Sequence, residues 1–265
     1  MKYSQLSDYN LFLEYRKFAE DLAVKAGKLV LAGQKKLQIV KYKDLQDVTT
    51  SVDLKSEKLI IDAISKKYPS HSINSEEGGG TDNKSDFRWT VDPIDGTKTY
   101  VRNIPLYNVS ICLEFKGEPV AGAIYLPASH QLYSASKSDG AFCGGAKIKI
   151  SGQKSLKASY VGFYFPTKNR KYVNYEKGWK VMKKVSESCY RIHSQGSSNI
   201  ALCWFAQGGL EAYINLTNPP HHHDLVTGLF IAKEAGGMVK EFKNGTFIVA
   251  NNKYIYDSLI DIINY

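Results

Sequence analysis

The chain has 265 residues, 43% of them hydrophobic and 23% charged, with a formal charge of +9 and a pI near 9.1. That length can bury a sizeable core, and no apolar run approaches the roughly 20 residues that cross a bilayer, which argues against a membrane protein. The positive charge would draw anions such as phosphate esters. The lysines, however, fall in scattered pairs such as Lys35-Lys36, Lys66-Lys67 and Lys183-Lys184 rather than in a block, so nucleic-acid binding is not expected.

The opening Met1-Lys2-Tyr3-Ser4 turns polar without the apolar core of a secretory signal. Leu11, Tyr15, Phe18, Leu22 and Ala26, with Leu29 and Val30 beyond, recur at three and four residues and predict a helix over residues 9–32, ended by Gly33. A second helix is predicted over 52–68 from Leu59, Ile60, Ala63 and Ile64, with Thr49, Thr50 or Ser51 as N-cap and Pro69 as stop. Asp53 falls in its first turn, where a carboxylate suits the helix dipole and could also point outward into a site. Ile73 leads into Ser75-Glu76-Glu77-Gly78-Gly79-Gly80, and residues 81–86 read as loop. Paired glutamates before three glycines make a solvated turn. A glutamate ending a strand beside another carboxylate would instead complete a cation site.

Residues 87–91 predict a short buried strand that ends before Asp92-Pro93-Ile94-Asp95-Gly96-Thr97. Open α/β sheets place ligands at strand ends. With Pro93 fixing one φ, both carboxylates can face one point with the Ile94 carbonyl between them, a set of hard oxygens suited to Mg²⁺. Gly96 allows close backbone approach, and a helix starting at Thr97 would aim amides at an anion. The conformational alternative is a plain surface turn, because Asp, Pro and Gly form turns without any function.

Beyond the motif, residues 108–115, 120–125 and 132–135, continued by Gly140-Ala141-Phe142, predict an antiparallel meander. Residues 159–165 read as a strand and 172–188 as a helix. Gly196-Ser197-Ser198 caps a helix over Ile200, Ala201, Leu202 and Phe205, and 211–216 reads as a strand. Asp224 is expected to open a helix ending at Ala235-Gly236-Gly237, in a position like that of Asp53, and residues 256–263 suggest a closing helix. Cys112, Cys143, Cys189 and Cys203 lie far apart without CxxC spacing, which predicts reduced thiols and a cytoplasmic protein.

The string 92–97 resembles the Asp-Pro-Ile-Asp-Gly-Thr signature of the inositol monophosphatase family. Glu76-Glu77 before it, and Asp224 with Glu234-Ala235-Gly236-Gly237 after it, follow that family's order. The resemblance covers nearly the whole chain. It implies an α+β fold layered α-β-α-β-α, as in inositol monophosphatase and fructose-1,6-bisphosphatase, within one domain over 1–265. The domain would have an N-terminal α+β half of about 1–150 and a C-terminal α/β half of about 151–265. It also implies a Mg²⁺-dependent, lithium-sensitive phosphomonoesterase with two or three ions per site. Glu76, Asp92 and the Ile94 carbonyl would hold one ion, and Asp92, Asp95 and Asp224 a second. Gly96 and Thr97 amides would hold phosphate, and Thr97 paired with Asp53 would orient or deprotonate the attacking water. A homodimer is expected on the same ground.

Departures from the family pattern bear on the substrate. Lys98-Thr99-Tyr100 stands where the inositol type more often has Thr-Asn-Phe, Asn215 where it carries a sugar-binding glutamate, and His223 where it has a tryptophan. Extra residues around Pro219-Pro220 alter the same wall, whereas Ser197 matches a position that contacts the leaving group. Asp95, Ser197, Asn215 and Asp224 are therefore the expected substrate contacts. Inositol monophosphate leads as substrate among small phosphorylated sugars, polyols and nucleotides, with histidinol phosphate, fructose 1,6-bisphosphate and 3'-phosphoadenosine 5'-phosphate as alternatives on the same site. His221-His222-His223 could suggest a transition-metal site, but consecutive side chains do not easily share one tetrahedral ion, so a loop or substrate wall is the preferred reading. Lys36, Cys143 and Trp204 are read as structural. A reading of another class, a non-catalytic regulator binding protein or RNA, would survive Asp95→Asn, whereas phosphatase activity would not.

Overall fold

The computed structural model describes residues 3–43, 48–165, 175–215, 221–242 and 246–264, with side chains from Tyr9 onward. Helix α1 (Tyr3–Gly33) is followed by a small ribbon of β1 (Ile39–Tyr42) and β2 (Val48–Thr50), then α2 (Ser51–Lys67). Strands β3 (Ser72–Ser75), β4 (Phe87–Asp95), β5 (Asn108–Phe115), β6 (Glu118–Leu126), β7 (Gln131–Ser136), β8 (Gly140–Cys143) and β9 (Ala146–Ile148) form a seven-stranded sheet in sequence order, with the one-turn α3 (Thr97–Tyr100) between β4 and β5. The second half supplies β10 (Tyr160–Tyr164), α4 (Tyr175–Ser188), β11 (Arg191–His193), α5 (Ser198–Ala206), β12 (Ala212–Asn215), α6 (Val226–Glu234), β13 (Met238–Glu241), β14 (Phe247–Ala250) and α7 (Lys253–Asn264). Its five strands run in the order β11-β10-β12-β14-β13.

Four apolar clusters define the layers. Ala19, Ala23 and Ala26 of α1 and Ile60 and Ile64 of α2 meet Trp89, Val91, Val109, Ile111 and Leu113 on one face of the large sheet. On its other face Ile124, Tyr133 and Ala135 meet Ile200 and Cys203 of α5 and Phe230 and Ile231 of α6. The opposite sides of α5 and α6, through Leu202, Phe205 and Ala232, pack on Tyr213, Phe247 and Val249 of the smaller sheet. Val161, Ile214 and Ile248 then cover Val181 and Val185 of α4 and Ile255 and Leu259 of α7. The order is helix, sheet, helix, sheet, helix, the expected α-β-α-β-α sandwich. In β5 the period of two makes the division visible: Val109, Ile111 and Leu113 face α1, while Asn108, Ser110 and Glu114 face α5 and α6.

Several predicted elements shift. The first helix does stop at Gly33, but with φ −76° in right-handed geometry. Its lack of a side chain serves packing instead, since a Cβ there would lie 2.8 Å from Val52 Cγ2. The predicted residues 172–174, Leu216, Pro219 and Pro220 lie outside the described residues. The strands β1, β2, β9, β11, β13 and β14, absent from the sequence-based outline, are three or four residues long, too short for an alternation pattern to register. No helix among the described residues is long and apolar enough to cross a membrane, and all four cysteines are free thiols.

Candidate metal and phosphate site

The predicted strand 87–91 does not stop before the motif but runs through it to Asp95. Residues three apart in a regular strand point to opposite faces. Here Asp92 pairs with Ser110 and Asp95 with Asn108, so three steps on β4 match two on β5 and one extra residue is accommodated in a bulge. The bulge, more than Pro93, turns Asp95 to the side that Asp92 already faces. The local backbone is pinned: the Ile94 amide donates to Asp92 Oδ1 at 3.1 Å, and Ser56 Oγ of α2 donates to the Pro93 carbonyl at 3.1 Å.

Gly96 follows with φ +90°, the left-handed conformation that favours glycine, and a Cβ there would lie 2.8 Å from the Leu106 carbonyl. The predicted helix from Thr97 is only the single turn α3. Thr97 Oγ1 stands 2.9 Å from the Ile94 carbonyl and 3.2 Å from Asp53 Oδ1. Asp53 divides its two oxygens between two contacts. It closes a capping box at the start of α2, accepting from the Thr50 amide and side chain, and its other oxygen reaches Thr97. Burial is the main reason its pKa rises to about 6, against the Thr50 hydrogen bonds that oppose the rise.

Glu76 follows β3, which runs parallel to β4, and its amide donates to the Val91 carbonyl at 3.1 Å, next to Asp92. Lys43 Nζ lies 2.8 Å from both Glu76 Oε1 and Glu77 Oε1, and Thr49 donates to Glu77 Oε2 at 2.7 Å. Glu77 thus serves the support of the loop. Asp224 does not open α6 in the way Asp53 opens α2. It ends a 3-10 turn, His222–Asp224, before the helix begins at Val226. His223 Nε2 lies 3.3 Å from Asp224 Oδ1, His221 and His223 stack with ring centroids 5.3 Å apart, and His222 turns away to Glu114. The three imidazoles do not converge on a point.

Charge shows that these acids form one basin. Burial and the charges of Glu76, Asp95 and Asp224 push the Asp92 carboxyl well up. Burial raises Asp95 as well, although Ser197 and Asn108 hydrogen bonds favour its ionised form. Burial works against ionisation of Glu76, but the Lys43 ammonium outweighs it and lowers the pKa. The donors are all hard oxygens, and Asp92 Oδ2 is buried without a hydrogen-bond partner, an atom that a cation or proton would satisfy. The residues fit a hard divalent ion such as Mg²⁺. They are gathered without being closed around it: among the described residues no three His, Cys, Asp or Glu side chains stand grouped at metal-holding spacing.

The expected substrate contacts divide. Ser197 caps α5 by accepting from the Ile200 amide at 3.3 Å and donates to Asp95 Oδ2 at 2.7 Å, so its hydroxyl orients Asp95. Asn215 is buried at the end of β12, in register with Tyr164 and Phe247. Asn108 was not foreseen. Its amide donates to Asp95 Oδ2 at 2.7 Å and to Ser197 Oγ at 3.2 Å, tying β4 to α5. A polar residue at an inward position of an apolar alternating strand was the available signal. Glu114 carries the same sign on the same strand and was likewise missed, as were Lys43 and Ser56, whose local sequence gives none.

Comparison with known proteins finds relatives along nearly the whole chain. The model of the inositol monophosphatase family matches residues 13–262. A relative from Aquifex aeolicus named fructose-1,6-bisphosphatase/inositol-1-monophosphatase is 32% identical over 258 residues, 94% of this chain and 95% of its own length. A Nus factor SuhB from Pasteurella multocida is 30% identical over 226 residues, 84% of this chain and 83% of its own. Among solved structures, an IMPase from Thermotoga maritima superposes with a TM-score of 0.82 at 27% identity, covering 95% of this chain and 97% of that one.

Proposed function

The chain belongs to the inositol monophosphatase family, and from that premise we propose that it hydrolyses a small phosphate monoester with the help of Mg²⁺. The observation that carries the reading is the basin of Glu76, Asp95 and Asp224 around the buried Asp92, whose Oδ2 has no hydrogen-bond partner, with the Thr97–Asp53 pair beside it. Glu76, Asp92, the Ile94 carbonyl, Asp95 and Asp224 would hold the ions. Bound there, Mg²⁺ supplies charge neutralisation for the phosphoryl oxygens and acidifies water.

The chain's own groups do the rest. Gly96 and Thr97 amides, at the start of α3, receive phosphate oxygens. Thr97 Oγ1, fixed by the Ile94 carbonyl, orients the attacking water, and its proximity to Asp53 lets a proton pass onward. With its pKa near 6, Asp53 is ionised at neutral pH yet basic enough to accept that proton. Ser197 and Asn108 favour the ionised form of Asp95 against burial and hold it in one orientation.

Inositol monophosphate is the leading substrate. The Aquifex relative's name also places fructose 1,6-bisphosphate in view, and histidinol phosphate and 3'-phosphoadenosine 5'-phosphate complete the set. Assaying these esters with Mg²⁺, with EDTA and with lithium tests the reading. Hydrolysis that needs Mg²⁺ and is lost in Asp95→Asn supports it, and no hydrolysis of any ester overturns it. A regulatory role has separate support in the relative named Nus factor SuhB, and that role would persist in Asp95→Asn.

A further inference from the structure

Asp224 reaches the basin by a different route from the other acids. Asp92 and Asp95 are set by strand register, and Glu76 by the hydrogen bond its N–H donates to the Val91 carbonyl. Asp224 stands on a single 3-10 turn before a helix with no side-chain cap. Two side-chain bonds to β5 bracket it. On the helix side, Thr227 Oγ1 meets Ser110 Oγ at 2.6 Å. On the turn side, His222 Nε2 lies 2.9 Å from Glu114 Oε1. Glu114 is only 4% exposed and has no part in the chemistry above. Its second oxygen accepts from the Thr90 hydroxyl at 2.7 Å, and Thr90 lies on the same face of β4 as Asp92, two residues before it. A chain of bonds therefore runs from β4 through Thr90, Glu114 and His222 to the turn that carries Asp224.

We propose that Glu114 and His222 are positioning residues that set the Asp224 turn against β4, so that Asp224 and Asp92 face each other closely enough to share a cation. The proposal rests on the metal reading given above. A buried carboxylate at an inward position of a central strand is costly unless its oxygens are satisfied. Glu114 spends one oxygen on its own sheet and the other on a turn outside it. The His222 side chain is 58% exposed, so its removal opens Glu114 Oε1 to water, which limits the cost to global stability. Its effect is on placement. Groups that orient a ligand from behind commonly change metal affinity 10- to 100-fold.

The test is a calorimetric Mg²⁺ titration of the metal-free full-length protein, alongside thermal melts, for the wild type, His222→Ala and His222→Gln. His222→Ala is expected to weaken Mg²⁺ binding about tenfold while the metal-free Tm stays within about 2 °C. His222→Gln keeps an N–H that can reach Glu114 and should recover most of the affinity. Unchanged affinity in His222→Ala, a loss that His222→Gln does not recover, or a loss matched by a fall of more than about 5 °C in Tm overturns the proposal. A wild-type chain that takes up no Mg²⁺ overturns the metal reading and this one with it. Normal uptake by both wild type and His222→Ala overturns only this one.

Discussion

The two sources of acid in the basin are built differently. Asp92 and Asp95 belong to a nine-residue strand hydrogen-bonded on both sides, and their common direction comes from a backbone bulge that no single side chain can undo. Asp224 belongs to a three-residue turn whose place depends on side chains reaching from β5. The strand-borne half is rigid by topology and the turn-borne half by contact. The first should therefore set whether a cation binds, and the second how tightly and how many.

Substitutions at these three aspartates probe that contrast most strongly. With Mg²⁺ present, Asp92→Asn or Asp95→Asn should lower kcat/KM by about 10³-fold or more, whereas Asp224→Asn should leave one calorimetric class of Mg²⁺ site in place. Equal loss of all binding in Asp224→Asn would erase the distinction.

Metal-free stability should show the cost of the raised acids. The pKa of Asp53 is raised in the folded chain to about 6 from an ordinary 3.8, so its contribution is fully present below that ordinary value and is lost as pH climbs through 6. That loss is on the order of 3 kcal/mol, and the raised Asp92 and Asp95 act in the same direction. Melts in EDTA should give a lower Tm at pH 8 than at pH 5, with Mg²⁺ narrowing the gap and Asp53→Asn removing part of it. A Tm that rises with pH in EDTA would contradict this.

Thr97→Ala should reduce kcat about 10²-fold with KM changed by less than about threefold, because it removes orientation of water rather than phosphate contacts. The smallest effect is expected behind the motif, at the seam between α5 and α6. A Cβ at Gly228 would lie 2.7 Å from Asn199 Oδ1, which accepts the Gly228 amide at 3.1 Å. Gly228→Ala should cost about 1–3 kcal/mol in denaturant melts and weaken Mg²⁺ binding slightly by shifting the turn ahead of α6.

How much of this could be read beforehand follows the same contrast. Residues 92–97 carry their geometry locally, and the long helices and the meander announced themselves by period. The bulge was not visible, since a strand was expected to end where it bends and continue. Asp224 appeared in the right order but in the wrong local setting, because a helix start and a 3-10 turn just before one look alike in sequence. Asn108 and Glu114 gain their meaning only once β5 is placed against α5 and the 221–224 turn, an adjacency across about a hundred residues that no local pattern encodes.

The middle helical layer has a consequence for how the molecule comes into being. Helices α5 and α6 come from the second half yet cover the face of the first half's sheet that α1 and α2 leave open. While the chain is being synthesised, that face and its aspartates stand uncovered until some eighty further residues have emerged. Such long-range closure is slow compared with hairpin formation. Completion of the cation site by Asp224 should thus be among the last properties the nascent protein acquires, and a ribosome stalled before residue 198 would carry only the Glu76–Asp92 part of it.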